Sequence, residues 1–349
     1  MKEPNKDINW INAAKALCIF MVYFDHCKVN AGVSLHGWDS PLYAIYINTF
    51  LMVSGYLLFR KQLSEPIMSQ SRTMFCGRGG GKYLLINILS KIVLPTILFA
   101  FLNYFPKMIV RGGDISFGDL LMTTLGGCTL WFTSALAVAE ILLLVLLITR
   151  CRNLWVYFGI SVVFAIAGSW LAANEVEILG NSHFPWWYKN GLIATLFLTT
   201  GGLYWKYEQK LQKLLRPAVT LILGVLFLVL LYLVKGNYKS MVSICSINAQ
   251  GYLVSVLGVV VFLQICRRIP RSRFLTFVGR NSLGFFLICG IVGPMGMAIS
   301  RFITTAPFLH FALNFTISLM FVSIFVFLTT KYIPFIYDFK KLKLYGKES

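Results

Sequence analysis

The sequence predicts an all-α polytopic membrane protein, a bundle of about ten transmembrane helices. The chain of 349 residues is 57% hydrophobic and only 13% charged, and its mean hydropathy is +0.72. These values lie well outside the usual composition of soluble domains. Apolar runs such as residues 141–147 are hydrophobic on every side, whereas the strands of a membrane barrel alternate in polarity. The membrane-spanning segments are therefore predicted to be helices.

Ten apolar runs approach the roughly 20 residues that a spanning helix needs. They cover residues 8–27, 42–60, 84–105, 129–149, 153–173, 190–207, 217–235, 242–266, 278–301 and 309–333. We interpret residues 1–349 as one membrane domain built from these spans. The first run has no small-residue cleavage site and carries ionisable residues, so we expect a retained helix and not a removed signal peptide.

The net charge of +19 is unevenly distributed. Of the 32 Lys and Arg residues, 22 lie in alternate hydrophilic segments that include both termini, and 7 lie in the intervening segments. This asymmetry is the positive-inside pattern, which predicts cytoplasmic N and C termini. The predicted location is the cell (inner) membrane, with membrane lipid as one partner. Because the charge follows the topology, no nucleic-acid partner is expected.

Two other patterns argue against alternative chemistries. The eight cysteines include no Cys-x-x-Cys, so neither a disulfide framework nor a metal site is expected. The glycine-rich segment 76–83 superficially resembles a phosphate-binding loop, but Cys76 and Tyr83 stand where such a loop needs Gly and Ser or Thr. We therefore expect a basic loop there.

Ionisable residues within the spans are the first candidates for a functional site. Such groups cost about 2.5–3.5 kcal/mol at lipid depth and usually mark a site or pathway. Lys15 and His26 are eleven residues apart, which places them on one helix face about 16 Å apart along the axis. The alternatives are a Lys15 side chain that reaches the inner headgroups and a His26 at the outer lipid interface. Asp25 points about 100° away from His26 and is interpreted as an outer-edge residue.

Three residues of other spans also need an explanation. Lys91 is predicted at an inner depth similar to that of Lys15. Glu140 lies near the middle of the fourth span, where a structural ion pair with Lys91 or Lys15 is the simplest interpretation. Trp131 begins that span at the outer side, where aromatic residues commonly anchor helices at the interface. An alternative role for Trp131 is to shape the opening for a second substrate.

Five segments, in the same order and spacing, resemble the acyltransferase-3 family of integral membrane O-acyltransferases. The first is the basic residue and histidine eleven positions apart, Lys15 and His26. The family's second-helix signature Phe-Phe-x-x-Ser-Gly-Phe-Leu is similar to residues 50–58, which include Ser54 and Gly55. The remaining segments are Lys91 to Pro95, Leu130 to Leu136 and Gly279 to Leu283, the last with Asn281 and Ser282.

Three positions depart from the family pattern. Lys15 stands where members usually have Arg, and a Lys cannot make the bidentate phosphate contact of an Arg. Ile88 replaces the partner of the third-helix basic residue. Cys289 replaces a second histidine, which leaves His26 as the one histidine of the family pattern.

The resemblance implies transfer of an acyl group, in most members acetyl, from cytoplasmic acyl-CoA to a sugar hydroxyl. The expected acceptor is a glycan or glycolipid, that is, a cell-surface polysaccharide or its lipid-linked precursor. His26 would act as general base, and Lys15 and Lys91 would bind the donor phosphates. Acyl-CoA is a substrate in this scheme, so no permanently bound cofactor is expected. Pathway or structural roles remain for Glu140, Ser54, Trp131, Asn281 and Ser282, with helix packing preferred for Ser54.

The main alternative is a transporter or exporter of a glycan or small anion. Lys15, Lys91, Glu140 and His26 would then line an alternating-access path. That interpretation predicts Gly- or Pro-broken spans in corresponding positions of two halves, and the sequence shows no such pairing.

Overall fold

The computed structural model describes residues 9–35, 40–63, 81–111, 116–148, 153–234, 242 and 245–342. These residues form α-helices joined by loops, with an isolated bridge between Ile178 and Asn181. The helices are α1 (Asn9–Asn30), α2 (Ser40–Leu63), α3 (Gly81–Ile88), α4 (Leu94–Arg111), α5 (Phe117–Thr124), α6 (Trp131–Ile148), α7 (Leu154–Ala173), α8 (Tyr188–Leu214), α9 (Pro217–Leu233), α10 (Ala249–Arg268), α11 (Arg273–Arg280), α12 (Ser282–Ile303) and α13 (Pro307–Tyr332). A π-helical segment (Leu89–Val93) joins α3 to α4, and two 3-10 turns (Pro334–Tyr337 and Phe339–Lys341) follow α13.

The all-helical, multi-pass prediction is confirmed, although fewer than ten helices among the described residues qualify as spans by length and composition. Within the described ranges every predicted run overlaps a helix. Seven helices are long and apolar enough to cross a membrane alone, and α8 and α9 qualify only as a pair bent by 112°. This gives seven or eight candidate spans. Helix α1 does not qualify because its polar side chains lower its mean hydropathy. His36 and most of the glycine-rich segment 76–83 lie outside the described residues.

The chain divides into two compact units. Unit 1 comprises Met1–Phe50, Lys213–Ser240 and Ala249–Leu328, and unit 2 comprises Leu51–Gln212, Met241–Asn248 and Thr329–Ser349.

Unit 1 is organised around α1. Twelve of the 22 residues of α1 are buried, and the helix packs on α10, α11 and α12. At Gly279 the backbone of α11 lies so close to Asn12 that a Cβ would overlap the Asn12 carbonyl. The Arg267 guanidinium lies 4.0 Å from the ring of Trp10, and the ring of Phe20 stacks on Phe274 at 5.9 Å. Helix α1 is thus surrounded by protein over most of its length.

Unit 2 contains a direct backbone contact between α2 and α8. A Cβ on Gly55 would overlap the carbonyl of Leu198, and one on Gly201 would overlap the carbonyl of Met52. Small residues allow helices to approach this closely in a membrane. The close approach predicted beside Ser54 is therefore present, and Gly55 makes the contact.

The π-helical segment of unit 2 has a local cause. Pro95 has no backbone N–H and cannot donate to the carbonyl of Lys91, four residues earlier. The chain instead adopts a wider turn, in which the N–H of Leu94 bonds to the carbonyl of Leu89. Lys91 lies inside this turn, so its side chain leaves the helix in a direction that an α-helix would not give.

Candidate functional site

The predicted site residues divide between the two units. Unit 1 holds the residues of α1 and of the α11–α12 junction: Lys15, His26, Asn281 and Ser282. Unit 2 holds the residues of α2, the π-helical segment and α6: Ser54, Lys91, Trp131 and Glu140.

The helix face that joins Lys15 to His26 is covered by protein. Between them on this face, Ile19 is 0% exposed and Val22 is 2% exposed. Lys15 is half-buried, and His26 is exposed. The face therefore has a buried middle and an uncovered imidazole at the end that the topology predicts to be outer. A side chain in this position can accept a proton from a second molecule without rearrangement of the helix.

Asp25, interpreted from the sequence as an outer-edge residue, is the centre of a polar network next to His26. The Tyr43 hydroxyl donates to Asp25 Oδ1 at 2.6 Å, and the Tyr46 hydroxyl donates to Oδ2 at 3.3 Å. The buried Lys28 donates to Tyr43 Oη at 2.7 Å and pairs with Asp25 at 3.5 Å. The network fastens the end of α1 to the beginning of α2. It therefore fixes the helical turn from which His26 projects.

The sequence indicates only part of this network. Asp25 and Lys28 are three residues apart, a spacing that places them side by side on a helix. The two tyrosines lie on another helix, three residues apart, and their approach to Asp25 depends on tertiary packing. The pattern in α1 alone therefore suggested a pair but not its partners.

The segment with Asn281 and Ser282 has a structural role in unit 1. The side-chain amide of Asn281 donates to the carbonyl of Phe277 at 2.9 Å, where α11 ends. Ser282 is buried at the start of α12. Two residues before Asn281, Gly279 provides the close contact with α1. This junction therefore positions α1 at Asn12, one turn before Lys15.

Lys91 has a carboxylate partner that its sequence position did not indicate. Its Nζ lies 3.6 Å from Asp338 Oδ2, between the two 3-10 turns after α13. Ile88, the departure from the family pattern, is buried in an apolar cluster with Leu84 of its own helix and Leu144 of α6. The position that is usually basic is thus used for packing. Lys91 keeps an exposed side chain.

Glu140 and Trp131 both belong to α6. Glu140 is half-buried near the middle of this helix. Trp131 begins the helix, and its ring lies 6.2 Å from the ring of Trp187. The indole N–H of Trp187 donates to the carbonyl of Cys128 at 3.0 Å. Trp131 therefore belongs to an aromatic cluster that ties two loops of unit 2 together.

His183 extends this aromatic cluster. Its ring stacks on Trp187 at 3.8 Å with an angle of 10°. Trp186 and Trp187 both have positive φ angles, 54° and 51°, which non-glycine residues rarely adopt. Four hydrogen bonds hold this conformation, two from the backbone N–H groups and two from the indoles. Partial burial and the Lys189 ammonium lower the pKa of His183, which favours the neutral form of the stacked ring.

No metal centre accompanies these residues in the part of the chain that the structure describes. No group of three or more His, Cys, Asp or Glu side chains there could hold a metal ion. The six cysteines within the described ranges are free thiols.

Fold and site together define a multi-pass helical membrane protein with ionisable side chains along a buried helix. Comparison with known families identifies it further: the acyltransferase 3 model, described as an acyltransferase domain, matches residues 8–334. The chain therefore belongs to the acyltransferase 3 family and is a membrane acyltransferase. Comparisons with curated proteins and with solved structures find no match.

This assignment confirms the predicted family and enzyme class, and it argues against the transporter alternative. A single bent helix pair, α8 and α9, is found among the helices described. A transporter of the type considered would need a corresponding pair in its other half.

Proposed function

We propose that this enzyme moves an acyl group, most simply acetyl, from cytoplasmic acyl-CoA to a hydroxyl of a cell-surface polysaccharide or its lipid-linked precursor. The observation that supports this proposal is the geometry of α1. Its buried face carries an ammonium group towards one end and an exposed imidazole at the other. In this proposal the acceptor hydroxyl and the donor thioester meet at the exposed imidazole.

In this proposal His26 is the catalytic base. Its imidazole removes the proton from the acceptor hydroxyl while the oxygen attacks the thioester carbonyl. The tetrahedral intermediate then collapses, the carbon–sulfur bond breaks, and the imidazolium returns the proton to the leaving thiol of CoA. The products are the ester and free CoA. No covalent acyl-enzyme is required, because both substrates are present at the same time.

Lys15 and Lys91 are the donor-binding residues that the family resemblance implies, and this proposal keeps that role for them. An ammonium group attracts phosphate as a compact charge and does not impose the two-pronged geometry of Arg. Asp25 is a positioning residue in this proposal. Its network with Tyr43, Tyr46 and Lys28 fixes the end of α1 that carries His26. Ser54, Asn281 and Ser282 serve helix packing, and Trp131 serves the aromatic cluster.

The proposal is tested by replacing His26 in cells whose envelope glycans are analysed by mass spectrometry. We expect His26→Ala to lower the acylated fraction by at least about 100-fold, because a general base contributes 10²- to 10⁴-fold. The mass increment in the unsubstituted strain identifies the acyl group, and the fragment that carries it identifies the acceptor. Quantification of the protein in the membrane excludes loss by misfolding.

His310 provides the matched control. It lies on α13, is buried, and its Nε2 lies 3.4 Å from the carbonyl of Met297. His310→Gln should leave acylation within about twofold, because this ring has no role in our mechanism. Unchanged acylation in His26→Ala would remove His26 from the chemistry and overturn the proposed mechanism.

A further inference from the structure

A cluster of cationic side chains surrounds Tyr83 in unit 2, and we call it the Tyr83 cluster. It consists of Lys61, Tyr83, Asn87, Lys91, Asp338 and Lys340. These residues come from the end of α2, from α3 and the π-helical segment, and from the 3-10 turns after α13. Three parts of the chain that are distant in sequence thus converge on one position.

The cluster holds more positive than negative charge. The ammonium groups of Lys61 and Lys340 lie 4.7 Å and 4.4 Å from the centre of the Tyr83 ring. Both cations therefore lie against the same ring, where their positive charges add. Asp338 is the carboxylate of the cluster, and it pairs with Lys91. Three ammonium groups and one carboxylate leave a net charge suited to an additional anion.

The carboxylate of Asp338 is held in place by an anchored segment. Its Oδ1 accepts the backbone N–H of Lys340 at 3.2 Å, and the Lys340 ammonium in turn donates to the Asn87 side chain. The preceding Tyr337 stacks on Phe99 at 5.6 Å and hydrogen bonds to Thr329 at 2.7 Å. The turns after α13 thus place one anion beside Lys91 and one cation beside Tyr83.

We propose that the Tyr83 cluster is a binding site for a phosphate group, and that Asp338 releases Lys91 when the phosphate binds. Lys61 and Lys340 are the resident cations of this site, and Lys91 joins them as the third. Phosphate accepts hydrogen bonds from ammonium groups, so it can neutralise the excess positive charge of the cluster. The positive-inside pattern places this end of α3 in the cytoplasm.

Two sources can supply the phosphate: the CoA portion of the acyl donor or the headgroup of an anionic lipid. The first source rests on the proposed function, because it makes the cluster part of the donor site. The phosphate site itself does not depend on that function. The experiment therefore measures both ligands with the same variants.

The full-length protein is placed in nanodiscs of phosphatidylcholine, and the binding of CoA is measured by calorimetry, with pantetheine as the phosphate-free probe. Asp338→Asn should tighten CoA binding about three- to tenfold, because it removes the anion that competes for Lys91. Lys61→Gln combined with Lys340→Gln should weaken binding at least about tenfold. Pantetheine binding should not respond to either change. Thermal unfolding verifies that each variant is folded.

A second tyrosine with two lysines serves as the matched control. Lys206 and Lys210 lie 5.6 Å and 6.0 Å from the ring of Tyr207 on α8, outside the Tyr83 cluster. Lys206→Gln combined with Lys210→Gln removes the same charge and should leave CoA binding unchanged. An equal loss in this control would show that the effect is general attraction by basic residues, and the proposal would fail.

The binding of anionic lipid is measured with nanodiscs that contain phosphatidylglycerol. Native mass spectrometry counts the anionic lipids retained by each variant. If Asp338→Asn increases lipid retention and leaves CoA binding unchanged, the phosphate site stands and its ligand is the headgroup. If neither ligand responds, the cluster is a packing contact only. Neither result alters the acylation test at His26, so the two proposals fail separately.

Discussion

Helices α1 and α13 both belong largely to unit 1, yet the side chains that they bury differ in polarity. In α1 the buried side chains are mostly apolar and lie on several faces. In α13 only 22% of the most apolar segment is buried. The buried residues of α13 recur about every four positions, and most of them are polar: His310, Asn314, Ser318, Val322, Val326 and Thr329. Large apolar side chains such as Phe321 and Phe325 point outwards.

The difference follows from the solvent that each helix meets. A helix that faces lipid needs apolar residues outside and can use small polar groups where it meets other helices. A helix surrounded by protein has no such requirement, so ionisable residues can occur along it. Hydropathy therefore selects α13 and overlooks α1, the helix that carries Lys15 and His26. In this molecule a low mean hydropathy combined with extensive burial marks the helix on which we place the proposed catalytic base.

The sharpest test of this comparison is the backbone contact that α1 makes at Gly279. Gly279→Ala should destabilise the protein by about 3 kcal/mol or more, because the new methyl group meets the rigid carbonyl of Asn12 and overpacking costs 1–3 kcal/mol even against flexible neighbours. The measurement is thermal unfolding in detergent micelles. Gly224→Ala in α9 is the control, since its Cβ would lie 3.6 Å from Val261 and alanine favours a helix by up to about 1 kcal/mol. Equal stability of the two variants would show that α1 is not tightly enclosed.

A smaller effect is expected from the polar network at the end of α1. Asp25→Asn should cost about 2 kcal/mol, because hydrogen bonds to a charged group contribute roughly 1.5–3 kcal/mol and Lys28 stays buried without its counter-charge. The double variant with Lys28→Gln should recover part of this loss, and chemical unfolding of all four proteins gives the coupling energy. Thr316→Val on the exposed surface of α13 is the comparison and should change stability by less than about 0.5 kcal/mol. An additive double variant would show that the network does not hold α1.

Sequence was sufficient for much of the fold because lipid imposes simple rules. The helical class, the approximate limits of the spans and the close approach at Gly55 all follow from apolar length and residue size. The common face of Lys15 and His26 follows from helical periodicity. Among the described residues the difference from ten candidate spans has two causes: α1 has too low a mean hydropathy to qualify, and α8 and α9 qualify only as a pair.

The remaining features of the site depend on contacts between distant segments. Asp338 lies 247 residues after Lys91, and no local pattern connects them. The distorted turn at Lys91 did have a signal in the sequence. Pro95 stands four residues after Lys91 and has no N–H to donate to the Lys91 carbonyl. The contact of Tyr43 and Tyr46 with Asp25 had no such signal, since nothing in the sequence of α2 indicates it. Tertiary packing therefore supplied what periodicity could not.

The smallest expected effect on stability comes from exchanging isoleucine for leucine, a side chain of equal size, in α1 and in α13. Ile19→Leu in α1 changes a residue that is fully buried, whereas Ile324→Leu in α13 changes one that is 50% exposed. We expect Ile19→Leu to cost up to about 1.5 kcal/mol, because a close-packed site tolerates a change of shape poorly. Ile324→Leu should stay within about 0.5 kcal/mol, since lipid chains adjust to either side chain. Unfolding midpoints of the two variants measured in one detergent give the difference directly. If Ile324→Leu costs as much as Ile19→Leu, then α13 is covered by a partner instead of lipid, and the contrast between the two helices disappears.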